Sequence, residues 1–232
     1  MKKLLKTAFV ATLPVLTGYL VLGFGFGIIM RTNGFGLALT FAMSLLIYAG
    51  SMQYAAIGLF TGGASLLTVA LTTLMVNARH LFYGISMLEK YKHTGARKPY
   101  LIFGLTDETY SLVCGELPEI PCEKRKDYYL LVTLLNHIYW VTGSVLGVAA
   151  GALLQFNSEG IDFALTALFL TVFTEQWLTA KTHAPALIGV GVSVGSLLLF
   201  GADGFLIPAM LVIAVLLCVY KEEPGKEDAA ND

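Results

Sequence analysis

Apolar runs of membrane-spanning length recur along this chain, separated by short polar or glycine-rich breaks and a few clusters of charge. A helix of about 20 apolar residues crosses roughly 30 Å of hydrocarbon. Hydropathy places candidate segments at Ala8 to Met30, Phe35 to Phe60, Ala64 to Leu88, Pro99 to Gly115, Tyr128 to Leu154, Ile161 to Ala180, Pro185 to Phe200 and Gly204 to Tyr220. The pattern predicts an all-α polytopic membrane protein, a bundle of about 7 to 8 transmembrane helices, some of them broken. The fourth segment carries Asp107 and Glu108 at its middle and reads as a half-helix; the seventh is also short. Residues 1–221 are expected to form one membrane domain, and the polar residues 222–232 a disordered cytoplasmic tail. The basic start resembles a signal peptide, but the run from Ala8 to Met30 is too long and lacks a small-x-small cleavage site, so it reads as a retained first helix.

Composition narrows the choice. Hydrophobic residues make up 56% of the 232 and charged residues 13%, against about 25% charged in a soluble domain, so the chain lies in a lipid bilayer. A net charge of -1 without a basic stripe argues against nucleic acid. Cys114, Cys122 and Cys218 show no C-x-x-C spacing and no companion histidines, which suggests neither a metal site nor a disulfide framework. With no H-E-x-x-H, nucleophile elbow or cofactor signature, no catalytic residue or cofactor is predicted and the chain does not read as an enzyme.

Basic loops stay cytoplasmic. Eight full crossings with the N-terminus inside place Lys2, Lys3, Lys6, Lys124, Arg125, Lys126, Lys181, Lys221 and Lys226 on the cytoplasmic face, but leave the loop from Lys90 to Lys98 outside. That conflict disappears if the second segment is a re-entrant pair and the fourth does not cross. Both topologies stand at this point. Short matches between Ala38-Leu39-Thr40 and Ala164-Leu165-Thr166, Gln53-Tyr54 and Gln176-Trp177, and Thr17-Gly18 and Thr142-Gly143 recur at an offset of about 125 residues. Duplicated halves are a common transporter plan, and chance matches in apolar sequence are the alternative.

Glycines at four-residue spacing, Gly143, Gly147 and Gly151, Gly23 and Gly27, and Gly191 and Gly195, mark faces where a neighbouring helix can approach closely. Polar residues inside the apolar runs carry the candidate chemistry. Gly50, Ser51 and Gln53, within Tyr48-Ala49-Gly50-Ser51-Met52-Gln53-Tyr54, either open the helix and offer backbone to a solute or bond across an intact helix to a neighbour. Asn77-Ala78-Arg79-His80 sets a cation deep in the third segment, where insertion costs about 2.5 to 3.5 kcal/mol. Arg79 therefore faces protein, water or an anion, or else snorkels to the interface. Asn77 and His80, three residues apart, would share a helix face.

In Thr106-Asp107-Glu108-Thr109-Tyr110, one carboxylate can pair with Arg79 while the other carries a proton. The alternative is a capping arrangement with Thr106 or Asp107 as N-cap. Asn136 and His137 enter the fifth segment, His137 as a helix-end hydrogen-bonding residue, and Glu175 ends the sixth as a further proton site. The candidates are thus Gly50, Ser51, Gln53, Asn77 and Arg79 for substrate, and His80, Asp107, Glu108 and Glu175 for proton coupling.

The order and spacing of the Tyr48 to Tyr54, Asn77 to His80 and Thr106 to Glu108 motifs resemble the AzlC family of branched-chain amino acid permeases, which includes the YgaZ and BrnF proteins. The resemblance covers essentially the whole chain up to the tail. It implies the larger subunit of a two-component exporter of valine, leucine, isoleucine and methionine in the bacterial inner membrane, working with a small AzlD-like membrane protein. A zwitterionic amino acid would set its carboxylate at Arg79 or opened backbone near Gly50 and Ser51, and its ammonium at Asp107 or Glu108. The rivals are an uptake permease or channel for another small organic solute, and a non-transporting membrane scaffold subunit.

Overall fold

The computed structural model describes residues 2–115, 117, 120–153, 170, 173–174, 177–178, 180 and 182–220. It is helical throughout these residues and divides into two compact units, Met1–Leu168 and Phe169–Asp232. Three helices are long and apolar enough to cross a membrane, and shorter apolar helices accompany them. The chain is an all-α integral membrane protein.

The first unit is framed by α1 (Lys2–Thr32) and α8 (Arg125–Leu153), which pack closely over most of their length. Gly23 and Gly27 of α1 lie on the backbone of α8 near Ser144, while Gly143 and Gly147 of α8 lie on the backbone of α1 near Leu20 and Phe24. Because Gly23 meets Gly143 and Gly151 meets Arg31, the two helices run parallel. The paired small faces expected from the sequence form this contact. In the second unit, α9 (Ala184–Gly204) and α10 (Leu206–Val219) are described. There a Cβ on Gly191 or Gly195 would meet no described atom within 4 Å, so that glycine pair is not a close-packing face among the described residues.

The remaining segments of the first unit are all interrupted. The second becomes α2 (Leu37–Leu46) and α3 (Gly50–Thr61), separated at Ile47 to Ala49 where Tyr48 takes a φ of 47°. The third becomes α4 (Leu66–Val76) and α5 (Arg79–Tyr91), with Asn77 closing the first and its neighbour Ala78 opening the second. The fourth becomes α6 (Lys98–Phe103) and α7 (Asp107–Val113). Gly104 ends α6, and the Thr106 side chain caps α7 by accepting from the Thr109 amide.

Side-chain contacts along α1 and α8 give each piece its depth. Moving along α3, Gly50 rests on Trp140, Tyr54 on Phe26, and Phe60 on Phe35 just beyond the end of α1. Since α2 starts at that same end and its Ser44 accepts a hydrogen bond from Gln53, α2 and α3 form a re-entrant hairpin with its tip at mid-depth. A ten-residue helix of about 15 Å is long enough to reach it. The α6–α7 pair enters from the other end. Arg97 pairs with Asp127 at the start of α8, Gly104 reaches Thr133, and α7 returns until Lys90 Nζ donates to the carbonyls of Val113, Cys114 and Gly115. Among the described residues of this unit, α4 and α5 together cross from one hairpin's end to the other's, since Met87 and Tyr91 pack with Leu4, Ala8, Tyr128 and Tyr129.

The fourth segment therefore does not cross, and the second is a re-entrant pair. Lys2, Lys3, Lys6, Lys90, Lys92, Arg97, Lys98, Lys124, Arg125 and Lys126 gather at one end as a result, which the positive-inside rule makes cytoplasmic. Of the two topologies open from sequence, this one removes the misplaced basic loop.

Candidate functional site

Three helix interruptions fall at one depth, and each sets a polar residue just past the break: Ser51 in α3, Arg79 in α5, Asp107 and Glu108 in α7. That depth is the middle of the frame. Tyr19 of the 31-residue α1 meets Thr106 and Glu108, and Asn136 of the 29-residue α8 meets Thr109.

Arg79 holds the breaks together. Its Nη1 lies 2.5 Å from Asp107 Oδ2, and its Nη2 donates to Ser51 Oγ at 3.0 Å. A cation in the first turn of α5 opposes the helix dipole, whereas the two carboxylates opening α7 complement theirs. Asp107 thus offsets both a guanidinium at mid-depth and its unfavourable helix position. Arg79 Nε is buried without a hydrogen-bond partner among the described residues, and the Tyr83 hydroxyl lies beside the Asp107 carboxylate. The side chains are 37% and 35% exposed. An ion pair that is one-third uncovered at mid-membrane needs water or a polar solute beside it, because hydrocarbon cannot solvate it.

Glu108 has a different environment. Its Oε2 accepts from the Tyr19 hydroxyl at 2.6 Å, and Tyr19 Oη is 2.7 Å from Thr106 Oγ1. Thr106 is bonded to Thr109, which accepts from Asn136 Nδ2 at 3.0 Å. No cation is within salt-bridge distance of Glu108 among the described residues. The two adjacent carboxylates therefore separate into one ion-paired and one hydroxyl-bonded.

The other candidates distribute unevenly. Gly50 and Ser51 open α3, whose first turn has no side-chain cap. Gln53 is fully buried, accepting from Trp140 Nε1 at 3.0 Å and donating to Ser44, so it fastens the outer hairpin to α8. Asn77 and His80 do not share a helix face as expected, because the helix breaks between them; His80 instead bonds the Asn77 carbonyl through Nδ1 at 3.2 Å. Glu175 lies outside the described residues. Asn136 and His137 are not at a helix start: α8 begins at Arg125, since the charged residues before Tyr128 are already helical, and both are buried near its middle.

Tyr19, Asn136, His137 and Trp140 were not legible as site residues. One signal could have found Tyr19, Asn136 and Trp140. Continuing the Gly143 and Gly147 face backwards at helical period reaches Trp140, Asn136 and Thr133, and the Gly23 and Gly27 face reaches Tyr19.

A family model described as AzlC protein matches residues 14–154, which take in most of α1, both hairpins and α8. The chain is 45% identical over 226 residues to the branched-chain amino acid transport protein AzlC of Bacillus subtilis, covering 97% of this chain and 88% of that one. It is 44% identical over 214 residues to an uncharacterized membrane protein of Haemophilus influenzae, covering 91% and 87%. To the inner membrane protein YgaZ of Escherichia coli it is 25% identical over 209 residues, covering 89% and 84%. No solved structure matches the chain.

Proposed function

Because the chain belongs to the AzlC family, we propose that it is a secondary transporter that exports valine, leucine, isoleucine and methionine from the cell, exchanging them for protons, as the large subunit beside a small AzlD-like membrane protein. The observation that carries the site is the partly uncovered Arg79–Asp107 pair at mid-depth, where three helix interruptions converge. An amino acid's carboxylate would lie against the partly exposed Arg79 guanidinium and the uncapped first turn of α3 at Gly50 and Ser51. Its ammonium would lie at the partly exposed Asp107 carboxylate. Substrate identity rests on the relative's name, the resemblance and this charge match.

The test is efflux of radiolabelled leucine from preloaded cells. Cells carrying the chain with its small partner should lose label faster than cells without it; equal rates remove leucine as a substrate.

Glu108 is the proposed proton carrier, since its neighbours are hydroxyls rather than a cation. Asp107 is paired with Arg79 instead. Glu108→Gln is expected to remove the dependence of flux on a pH gradient while sparing leucine–leucine exchange. Gradient-driven flux that survives the substitution across a pH series would assign coupling elsewhere. Moving one charge through 100 mV supplies about 2.3 kcal/mol, enough for roughly a fiftyfold solute gradient.

A further inference from the structure

The two re-entrant hairpins meet on one side chain of a helix that belongs to neither. His137 projects from α8 at the level of both tips. Tyr48, at the tip of α2–α3, lies over its imidazole with ring centroids 4.2 Å apart. From the opposite hairpin, Tyr100 Oη is 3.0 Å from His137 Nδ1 and the Phe103 ring meets the imidazole edge-on at 5.8 Å. Tyr48 and Phe103 are themselves 6.1 Å apart. Four rings thus stand between the end from which one hairpin enters and the end from which the other does.

This closed contact carries a cost. Tyr48 and His137 are buried, the Tyr48 hydroxyl close to Tyr19 and Thr106 and the imidazole close to the Ser44 and Leu45 backbone at the end of α2. Tyr48 is also the one non-glycine residue with positive φ among the described residues. Release of the tip would relieve that backbone conformation, which brings an open arrangement closer in free energy to the closed one. Each tip also leans on α8 through a glycine. A Cβ on Gly50 would stand 3.1 Å from the Trp140 ring, and a Cβ on Gly104 would overlap the Thr133 methyl. The glycine-locked α1–α8 pair provides a fixed surface for both.

We propose that the two hairpin tips are separate gates, the α2–α3 tip opening toward the external face and the α6–α7 tip toward the cytoplasm, with His137 the positioning residue that latches both. The inference rests on the transport reading above, but its readout does not need the substrate.

The experiment starts from a variant with Cys114, Cys122 and Cys218 replaced by serine. Ala49→Cys or Leu105→Cys is added, and oriented vesicles are exposed to a membrane-impermeant charged maleimide. With His137 intact both cysteines react slowly. His137→Ala is expected to speed labelling of Ala49→Cys from the external side and Leu105→Cys from the cytoplasmic side, each by about tenfold, with His137→Gln intermediate. Gly104→Ala should accelerate Leu105→Cys alone, a one-sided change that general unfolding cannot produce. Unchanged rates at both probes, or faster reaction of both from the same face, overturn the proposal. If the labelling shifts appear but leucine does not move, the gates stand and the substrate reading falls; if leucine moves and labelling is indifferent to His137, the gates fall alone.

Discussion

Arg79→Gln is expected to lower solute flux at least about a hundredfold while the protein still reaches the membrane, and Arg79→Lys to recover little of it. A hundredfold corresponds to about 2.7 kcal/mol of lost stabilisation, a reasonable share for a guanidinium that would bind a carboxylate where water is scarce. Lysine keeps the charge but not the fork that lets Nη1 reach Asp107 and Nη2 reach Ser51 at once. Asp107→Asn should be worse for folding than Arg79→Gln, because it leaves the cation at the start of α5 unpaired. The double variant Arg79→Gln, Asp107→Asn separates structure from function. With both charges gone, thermal stability in detergent should return close to that of the parent, and flux in proteoliposomes should not. A scaffold subunit would predict normal behaviour from the double variant, so flux at parental levels there would favour that rival.

Hydropathy and charge made the membrane bundle legible, and the glycine spacings anticipated the α1–α8 contact. The polar clusters at Gly50 to Gln53, Arg79 and Asp107 marked the positions where the helices break. What sequence left open was direction. A broken apolar run looks the same whether its halves continue across the bilayer, as α4 and α5 do, or turn back, as α2–α3 and α6–α7 do. Positive-inside counting raised the alternative through Lys90 to Lys98, and long-range contacts such as Phe35–Phe60 and Arg97–Asp127 decide it. His137 was misplaced for a related reason. Charged residues at Arg125 to Asp127 suggested a helix beginning after them, whereas α8 starts among them and carries His137 to mid-depth. At the Thr106 to Glu108 cluster, capping and ion pairing were alternatives in the sequence, yet both occur. Thr106 caps α7, and the cap fixes Asp107 and Glu108 in a first turn that faces Arg79 and Tyr19.

Gly147→Leu is expected to abolish the folded protein, with Gly27→Leu close behind. Overpacking a core commonly costs 1 to 3 kcal/mol because neighbouring side chains can shift. Here the neighbour is backbone. A Cβ on Gly147 would overlap the Phe24 carbonyl, and one on Gly27 would overlap the Ser144 carbonyl and the Val148 amide. Relief requires α1 and α8 to separate, and in lipid no hydrophobic effect brings them back, since close packing is itself the driving force. The loss should exceed about 3 kcal/mol and appear as little or no monodisperse protein in detergent, whatever the growth temperature. Gly18→Ala is the control. It adds a methyl group where no described atom lies within 4 Å, and alanine's helix propensity favours the change by up to about 1 kcal/mol. Gly18 is also the residue that the sequence offset pairs with Gly143, which instead lies against the backbone at Tyr19 and Leu20. If Gly18→Ala is harmless and Gly143→Ala damaging, the matched letters do not mark equivalent contacts, and any ancestral duplication has since assigned its two glycines different work. If Gly147→Leu yields a stable, monodisperse protein, the parallel α1–α8 contact is not the frame on which the two hairpins are hung.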